Sequence, residues 1–387
     1  MDWNVANELR LVAQSTIVFV TLVLYYYYFY SDGLQSNRGS HSSILLTKSK
    51  NSTVSSCKNP DCIRCQRYRY VKERAQSKLC WILRDLKARD PSTFSKLNKR
   101  IPDAIQRGNH LLGNGKTYAS SLQDPNILMV PDLPSKELVT DWHQNACDYL
   151  KQHQTRTIVN KALHSLANDS VCGSLAVDDS KWTINDSPQG EWRVFQILNQ
   201  GVWNPMLLCE ERDVGNSKKA CQSLYELVRD IPDLLNNSLF GNAFVSKIYP
   251  GTNIEPHCGP TNVRHRLQFL LKLPENPSSS DSMGIRNDTR KCDLDSTPTL
   301  SMSVGREKNI SWNMHKDTFV FDDSFVHSVA YRDEGRTTDS IDNPPEKVQT
   351  IESLARIVLV IDLWHPHLQG VEKKLIQDLY PPYTSHM

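Results

Sequence analysis

The sequence has almost no net charge. Its 45 Lys and Arg stand against 43 Asp and Glu, leaving +2 over 387 residues with histidine neutral. A chain so balanced is not a nucleic-acid binder as a whole, because phosphate recognition needs a basic surplus. No internal repeat is evident, which sets aside solenoid and propeller arrays. The ten cysteines are scattered rather than dense, so disulfides do not stand in for a core. An apolar share of 39% supplies that core, and the length allows one large domain or two ordinary ones.

One stretch lacks charge altogether. Residues 11–30 read LVAQSTIVFVTLVLYYYYFY. A helix of this length spans roughly 30 Å, the hydrocarbon thickness of a bilayer. The aromatic cluster Tyr25 to Tyr30 suits the membrane–water interface. A cleaved signal peptide is the rival reading. It has a shorter apolar core, a basic start and small residues at the cleavage site. Here only Arg10 precedes the core, and tyrosines stand where cleavage would occur. The expectation is an uncleaved signal-anchor in the lipid bilayer at 11–30, behind a short N-terminal tail at 1–10. Arg38, Lys48 and Lys50 on the far side lean against a cytoplasmic N-terminus. Six Asn-X-Ser/Thr sequons, at Asn51, Asn168, Asn185, Asn236, Asn287 and Asn309, and the short tail favour a single-pass type II glycoprotein. Its body is expected in the lumen of the endoplasmic reticulum or Golgi.

Charge is uneven along the chain. Residues 61–102 hold twelve Lys/Arg against four Asp/Glu. A solvated helical face is the plain reading; contact with anionic headgroups is the sharper one. Cys57, Cys62 and Cys65, with Cys80 further on, do not have a standard zinc spacing. Disulfides or free thiols are preferred there. Cys209 and Cys221 flank a loop that a disulfide would close, but sequence does not set the connectivity.

Residues 31–60, rich in Ser, Asn, Gly and Lys, read as a flexible stalk, and 61–110 as a basic helical region. Ile63, Tyr70, Leu79, Ile82, Leu83 and Leu86 recur at helical spacing until Asp90-Pro91 ends the pattern. A second helix is expected near 92–107, and another over Glu137–Leu166. Short β-type runs then alternate with turn signals: 192–198, 244–249, 267–273, 318–321, 327–331 and 357–363. They argue for an antiparallel double-sheet or barrel fold. The polar stretches 274–299 and 332–353 read as surface loops.

Two histidines have distinctive settings. His257 lies in YPGTNIEPHCGPTN and His327 in FDDSFVH, and Arg356 opens the apolar run Ile357 to Ile361. Non-haem Fe(II) oxygenases commonly hold iron by two His and a carboxylate, leaving open positions. That carboxylate usually sits two residues after the first His, where this chain has Gly259. Iron here would have two protein ligands. In isolation each His is more often structural than metal-bound.

The segments GEWRVFQILNQG, KIYPGTNIEPHCGPTNVRHR, FVFDDSFVH and RIVLVIDLWHP together resemble the aspartyl/asparaginyl β-hydroxylase family over residues 126–370. The anchor and basic helix are most like its membrane-anchored aspartate β-hydroxylase domain-containing proteins. The resemblance implies a mainly β double-stranded β-helix (jelly-roll) catalytic domain with flanking helices, two-histidine Fe(II) binding and 2-oxoglutarate as co-substrate. It implies His257 and His327 as metal ligands. Ser246 and Arg356 would hold the tail carboxylate of 2-oxoglutarate, and Arg266 would contact it near the metal. Asp323 would be a carboxylate holding a metal-bound water, and Arg264 would associate with an acidic substrate side chain. Gln268 departs from the family, which has a co-substrate-binding histidine there; Gln donates a hydrogen bond but carries no charge. His265, His315, His365 and His367 are expected as structural or surface residues.

The leading reading is a membrane-anchored dioxygenase acting on Asp or Asn of a luminal protein. A lipid acyl chain is another substrate class, and halogenation is disfavoured by the resemblance. The rival is a catalytically silent membrane protein that binds a partner with the same fold.

Overall fold

A computed structural model describes residues 68–97, 99–107, 122–168, 182–186, 190–208, 216–274, 299–310, 317–332 and 354–382. The expected anchor at 11–30, the stalk, the Cys57/Cys62/Cys65 cluster, Cys209, His315 and most of the two polar insertions lie outside them. Among the described residues no helix is long and apolar enough to cross a membrane.

Three helices come first: α1 (Tyr68–Arg89), α2 (Pro91–Lys96) and α3 (Arg100–Arg107). Asp90 separates the first two. Its carboxylate accepts the Thr93 N–H at 2.9 Å, and Pro91 sits in the first turn, where a missing N–H costs nothing. Ala75 and Leu79 face inward from α1 and pack on Ile101, Ala104 and Ile105 of α3. Leu375, Ile376 and Leu379 of the C-terminal helix Gly370–Leu379 close the same cluster. Arg100 and Glu372 pin it with two hydrogen bonds of 2.7 Å.

The helix expected over Glu137–Leu166 is broken. A 3-10 turn, Thr140–His143, leads into α4 (Gln144–Gln152) and then α5 (Thr155–Asn168). Gln154 between them has φ +51°, a left-handed conformation that ends one helix before the next begins. A further helix, α6 (Asn216–Arg229), was not legible as such; buried Cys221 lies on it.

Eleven strands follow the chain among the described residues. They are β1 (Thr183–Asp186), β2 (Glu191–Asn199), β3 (Val202–Trp203), β4 (Ala243–Ile248), β5 (Asn253–His257), β6 (Arg264–Lys272), β7 (Thr299–Val304), β8 (Glu307–Ile310), β9 (Thr318–Phe321), β10 (His327–Arg332) and β11 (Arg356–Trp364). They form two antiparallel sheets. The larger runs β1-β2-β4-β11-β6-β9, with β3 on β2, and the smaller runs β5-β10-β7-β8.

Period-2 alternation explains how the larger sheet is covered on both sides. One face carries Val245, Leu267, Phe269, Leu359 and Ile361, which pack on α4, α5 and α6. The other carries Ile248, Leu270, Phe319, Phe321, Val358 and Val360, which meet Met302, Val304, Val329 and Tyr331 of the smaller sheet. This inter-sheet face also holds Ser246, Arg266, Gln268 and Arg356. Register places Ser246 opposite Val358, Gln268 opposite Val360 and Arg266 opposite Asp362. An apolar sandwich thus carries one polar stripe on its inner surface.

Candidate active site

His257 ends β5 and His327 opens β10, and the two are cross-strand partners. Their ring centroids lie 4.2 Å apart. Each ring is held by the carbonyl two residues before it: His257 Nδ1 lies 2.8 Å from Glu255 O, and His327 Nδ1 2.9 Å from Phe325 O. A carbonyl only accepts, so each proton sits on Nδ1 and each lone pair on Nε2. That is the tautomer a metal ligand requires, oriented as a carbonyl orients it in metal sites. Burial, then the neighbouring His257, holds His327 well below the usual imidazole pKa and keeps it neutral. Among the described residues no group of three or more His, Cys, Asp or Glu side chains gathers as a metal site.

Position 259 leaves no room for a side-chain carboxylate. A Cβ on Gly259 would lie 2.5 Å from Cγ and Oδ2 of Asp323. The Gly259 N–H also donates to the Asp323 carbonyl at 2.5 Å. The space a carboxylate would need two residues after His257 is filled by one arriving from the second histidine's own strand connection.

Asp323 belongs to a buried ring of four charges. It accepts from Arg264 Nη2 at 2.6 Å and Nε at 3.2 Å, and Arg266 Nη1 lies 3.5 Å away. Asp362, on β11, accepts from Arg264 Nη1 at 2.9 Å, Arg266 Nε at 2.8 Å and Asn242 Nδ2 at 2.9 Å. No side chain of the four is more than 6% exposed. Burial pushes the Asp323 carboxyl up, but Arg264 and Arg266 together outweigh it and hold the group ionised, well below the usual range. Two cations and two anions so close are neutral as a unit and costly to break singly.

This ring reassigns Arg264. Four of its five N–H groups are taken inside the protein, by Asp323, Asp362 and the Phe240 carbonyl, and the side chain is 1% exposed. It orients Asp323; the expected contact with an acidic substrate is not what this geometry supports. Arg266 shares the ring from the inter-sheet face.

Ser246, Gln268 and Arg356 gather on the same stripe. Arg356 Nη2 donates to Gln268 Oε1 at 2.7 Å, and Gln268 Nε2 faces Met302 Sδ at 3.9 Å. The Trp192 indole N–H donates to Ser246 Oγ at 3.1 Å. Arg356 is 2% exposed, and burial pushes its guanidinium down to about 9. A cation so far from water is stabilised by a carboxylate accepting bidentately. The donors therefore suit a dicarboxylate whose tail meets Arg356 and Ser246, and the two Nε2 lone pairs suit one divalent metal.

Sequence reasoning did not assign Asp362 or Trp192. Asp362 had a signal: it is a charge in phase with Arg356 on an otherwise apolar strand. Trp192 lay in a quoted motif but had no signal for its bond to Ser246. His265 and His365 are buried, at 0% and 1% exposure, and His367 is exposed.

Gly259→Ala is expected to cost about 1–3 kcal/mol, the usual range for overpacking, because the obstructing carboxylate is fixed by two arginines. Gly259→Asp places a third carboxylate-type ligand in sequence but not in free space. It is expected to weaken iron binding rather than strengthen it, read by metal content after dialysis against graded chelator.

A family model described as Aspartyl/Asparaginyl beta-hydroxylase matches residues 152–339. The match includes both histidines and Asp323 and stops short of Arg356. Aspartate beta-hydroxylase domain-containing protein 2 of Xenopus tropicalis is 26% identical over 373 residues, covering 95% of this chain and 83% of its own. The aspartyl/asparaginyl beta-hydroxylase of Mus musculus is 22% identical over 313 residues, 78% of this chain and 34% of that one. A solved oxidoreductase of the 2OG-Fe(II) oxygenase family from Burkholderia pseudomallei covers 48% of this chain and 73% of its own, at 11% identity and a TM-score of 0.25, too slight a likeness to bear on the fold. The relatives extend well beyond the matched motifs into the helical region, and over most of its length the chain is similar to proteins of the aspartyl/asparaginyl β-hydroxylase kind.

Proposed function

We propose that this chain is an Fe(II)- and 2-oxoglutarate-dependent dioxygenase that hydroxylates Asp or Asn side chains of a protein substrate. In this reading the two sheets form a double-stranded β-helix (jelly-roll) domain. Residues 11–30 anchor it as a single-pass type II protein with the domain in the lumen of the endoplasmic reticulum or Golgi. The observation that carries the catalytic reading is Asp323, packed where a third ligand's side chain would stand and locked there by Arg264 and Arg266.

When bound, iron and 2-oxoglutarate would supply oxidative decarboxylation of the co-substrate coupled to oxygenation of a C–H bond. His257 and His327 would hold the metal through Nε2, with their Nδ1 protons retained by Glu255 O and Phe325 O. Asp323, ionised, offers a hydrogen-bond acceptor to water beside the metal. Arg356 and Ser246 would orient the co-substrate's tail, and Gln268 positions Arg356 through its carbonyl. Gln268 also favours the rival reading of a silent binding protein, since its neutral amide replaces a histidine's donor. A lipid acyl chain is the alternative substrate class.

The test is succinate release by the full chain with Fe(II) and 2-oxoglutarate, against His257→Ala and His327→Ala. Turnover is expected to fall to background in both variants, with iron content falling in parallel. Wild-type protein that folds yet binds neither iron nor 2-oxoglutarate would overturn the dioxygenase reading. Arg356→Lys keeps the charge but loses the planar fork. It is expected to raise the 2-oxoglutarate concentration for half-saturation by about 10- to 100-fold, the worth of a charged hydrogen bond.

A further inference from the structure

Helix α1 presents a surface that neither the core nor the candidate site uses. Its inward face is seated on α3 and the C-terminal helix through Ala75 and Leu79. Its outward face carries Trp81, which at 66% is the most exposed of the large apolar side chains described. At about 100° per residue, Arg74, Lys78 and Arg84 fall within about 60° of Trp81 around the helix. Asp85 lies on that face too, about 40° from Trp81, and its charge is met by Arg89 of the same helix. Lys87, Arg89, Lys96 and Lys99 extend the exposed basic surface beyond it.

An exposed indole ringed by bases suits neither plain water nor an apolar protein groove. Water gains nothing from the ring, and an apolar groove would strand the charges. A lipid headgroup layer satisfies both: indole enters the interface, and Lys and Arg meet phosphate. The chain also supplies proximity. The uncharged run ends at Tyr30, and residues 31–67 separate it from α1. This step rests on the anchor reading of residues 11–30 and on anionic lipid in the leaflet that faces the domain.

We propose that the outer face of α1 docks on an anionic bilayer surface, with Trp81 at the interface and Arg74, Lys78 and Arg84 against lipid phosphates. The domain would then lie against the membrane rather than hang from its stalk.

The experiment reconstitutes the full chain into vesicles of phosphatidylcholine, with or without phosphatidylserine, containing brominated lipid. Trp81 is isolated as the fluorescence difference between wild type and Trp81→Phe. Its signal is expected to be quenched by brominated lipid in phosphatidylserine vesicles, and the quenching is lost in high salt. The triple variant Arg74→Glu/Lys78→Glu/Arg84→Glu loses the quenching while its incorporation into vesicles stays unchanged. Trp81 that escapes brominated lipid and stays open to aqueous iodide in both vesicles overturns the proposal, whether water or a protein covers that face. Failure of the chain to incorporate through 11–30 shows instead as loss of flotation with neutral vesicles. In that case quenching by added phosphatidylserine vesicles alone decides for or against the docking face.

Discussion

Asp323→Ala is expected to destabilise the domain by about 3–5 kcal/mol, the range for breaking one partner out of a buried ion pair. For a domain of this size that lowers the melting temperature by roughly 6–20 °C. The cause is the arginines left behind. Arg264 would keep Asp362 and the Phe240 carbonyl, and Arg266 would keep Asp362. Two buried cations would then share one carboxylate. Asp362→Ala leaves the mirror problem and is expected to cost a similar amount, although Asp362 lies on β11, away from the histidines. The ring acts as a unit, so the losses do not add. Asp323→Ala combined with Arg264→Met removes one charge of each sign and is expected to cost clearly less than the two single changes summed. Thermal unfolding followed by circular dichroism checks this; additivity within about 0.5 kcal/mol would mean that the four charges do not form a coupled set. Asp323→Asn keeps the shape and removes the charge. It is expected to lose metal affinity and turnover out of proportion to its smaller loss of stability, separating orientation of the site from packing.

How far the molecule could be read in advance depended on burial pattern. β4, β6, β9, β10 and β11 were legible because their apolar runs are buried on one or both faces, as in the continuous run of β11. β5 and β8 were not. They are the edges of the smaller sheet, mostly exposed, and their residues NIEPH and EKNI carry no alternation to read. β7 alternates, but it follows directly on a polar insertion that hid its start. The break near Gln154 left no trace, because the apolar spacing of Leu150 and Ile158 continues through it. The motifs drew attention to Arg356 and to the two histidines, which the fold brings together as cross-strand partners. The role of Arg264 was not legible, because a sequence shows which residue type stands at a position but not which way a guanidinium turns. Arg264 and Arg266 stand two apart on one strand, yet only the pairing with Asp362 across β11 shows them sharing a carboxylate. Asp362 is the residue that turns two arginines and one aspartate into a closed ring; it stood in the quoted segment RIVLVIDLWHP, but nothing there showed which side chains it would meet.

The stability of the domain is expected to fall steeply in mild acid because of histidines outside the site. His143, His265 and His365 cluster behind β6 around Trp142. His143 Nε2 and His265 Nδ1 share a hydrogen bond of 2.8 Å, and the outward nitrogens, His143 Nδ1 and His265 Nε2, are buried without a partner. Burial pushes His143 down to about 4, with Asp233 and Asp141 opposing and Lys373 assisting. Burial pushes His365 down to about 4 as well, against its bond to the Pro134 carbonyl and with His367, His143 and Arg100 nearby. In the unfolded chain both titrate near 6.5. Above that pH both states are neutral and the full stability is present. As pH falls from 6.5 towards 4 the unfolded state binds protons that the folded state refuses, and stability is lost. The slope is about 1.4 kcal/mol per pH unit for each histidine, so each contributes at most about 3 kcal/mol across the window. Asp322 acts in the opposite sense: burial raises it to about 7, against the Ser324 bonds that favour its charged form. The net slope of the wild type therefore mixes both. His143→Gln isolates the histidine's share, since Gln cannot be protonated in this range. Chemical denaturation at pH 7, 6, 5 and 4 is expected to show the variant less stable than wild type at pH 7 but losing stability more slowly, by about one proton's slope. Parallel curves would mean that His143 keeps its ordinary affinity for protons in the folded state and that the cluster is wetter than its packing indicates.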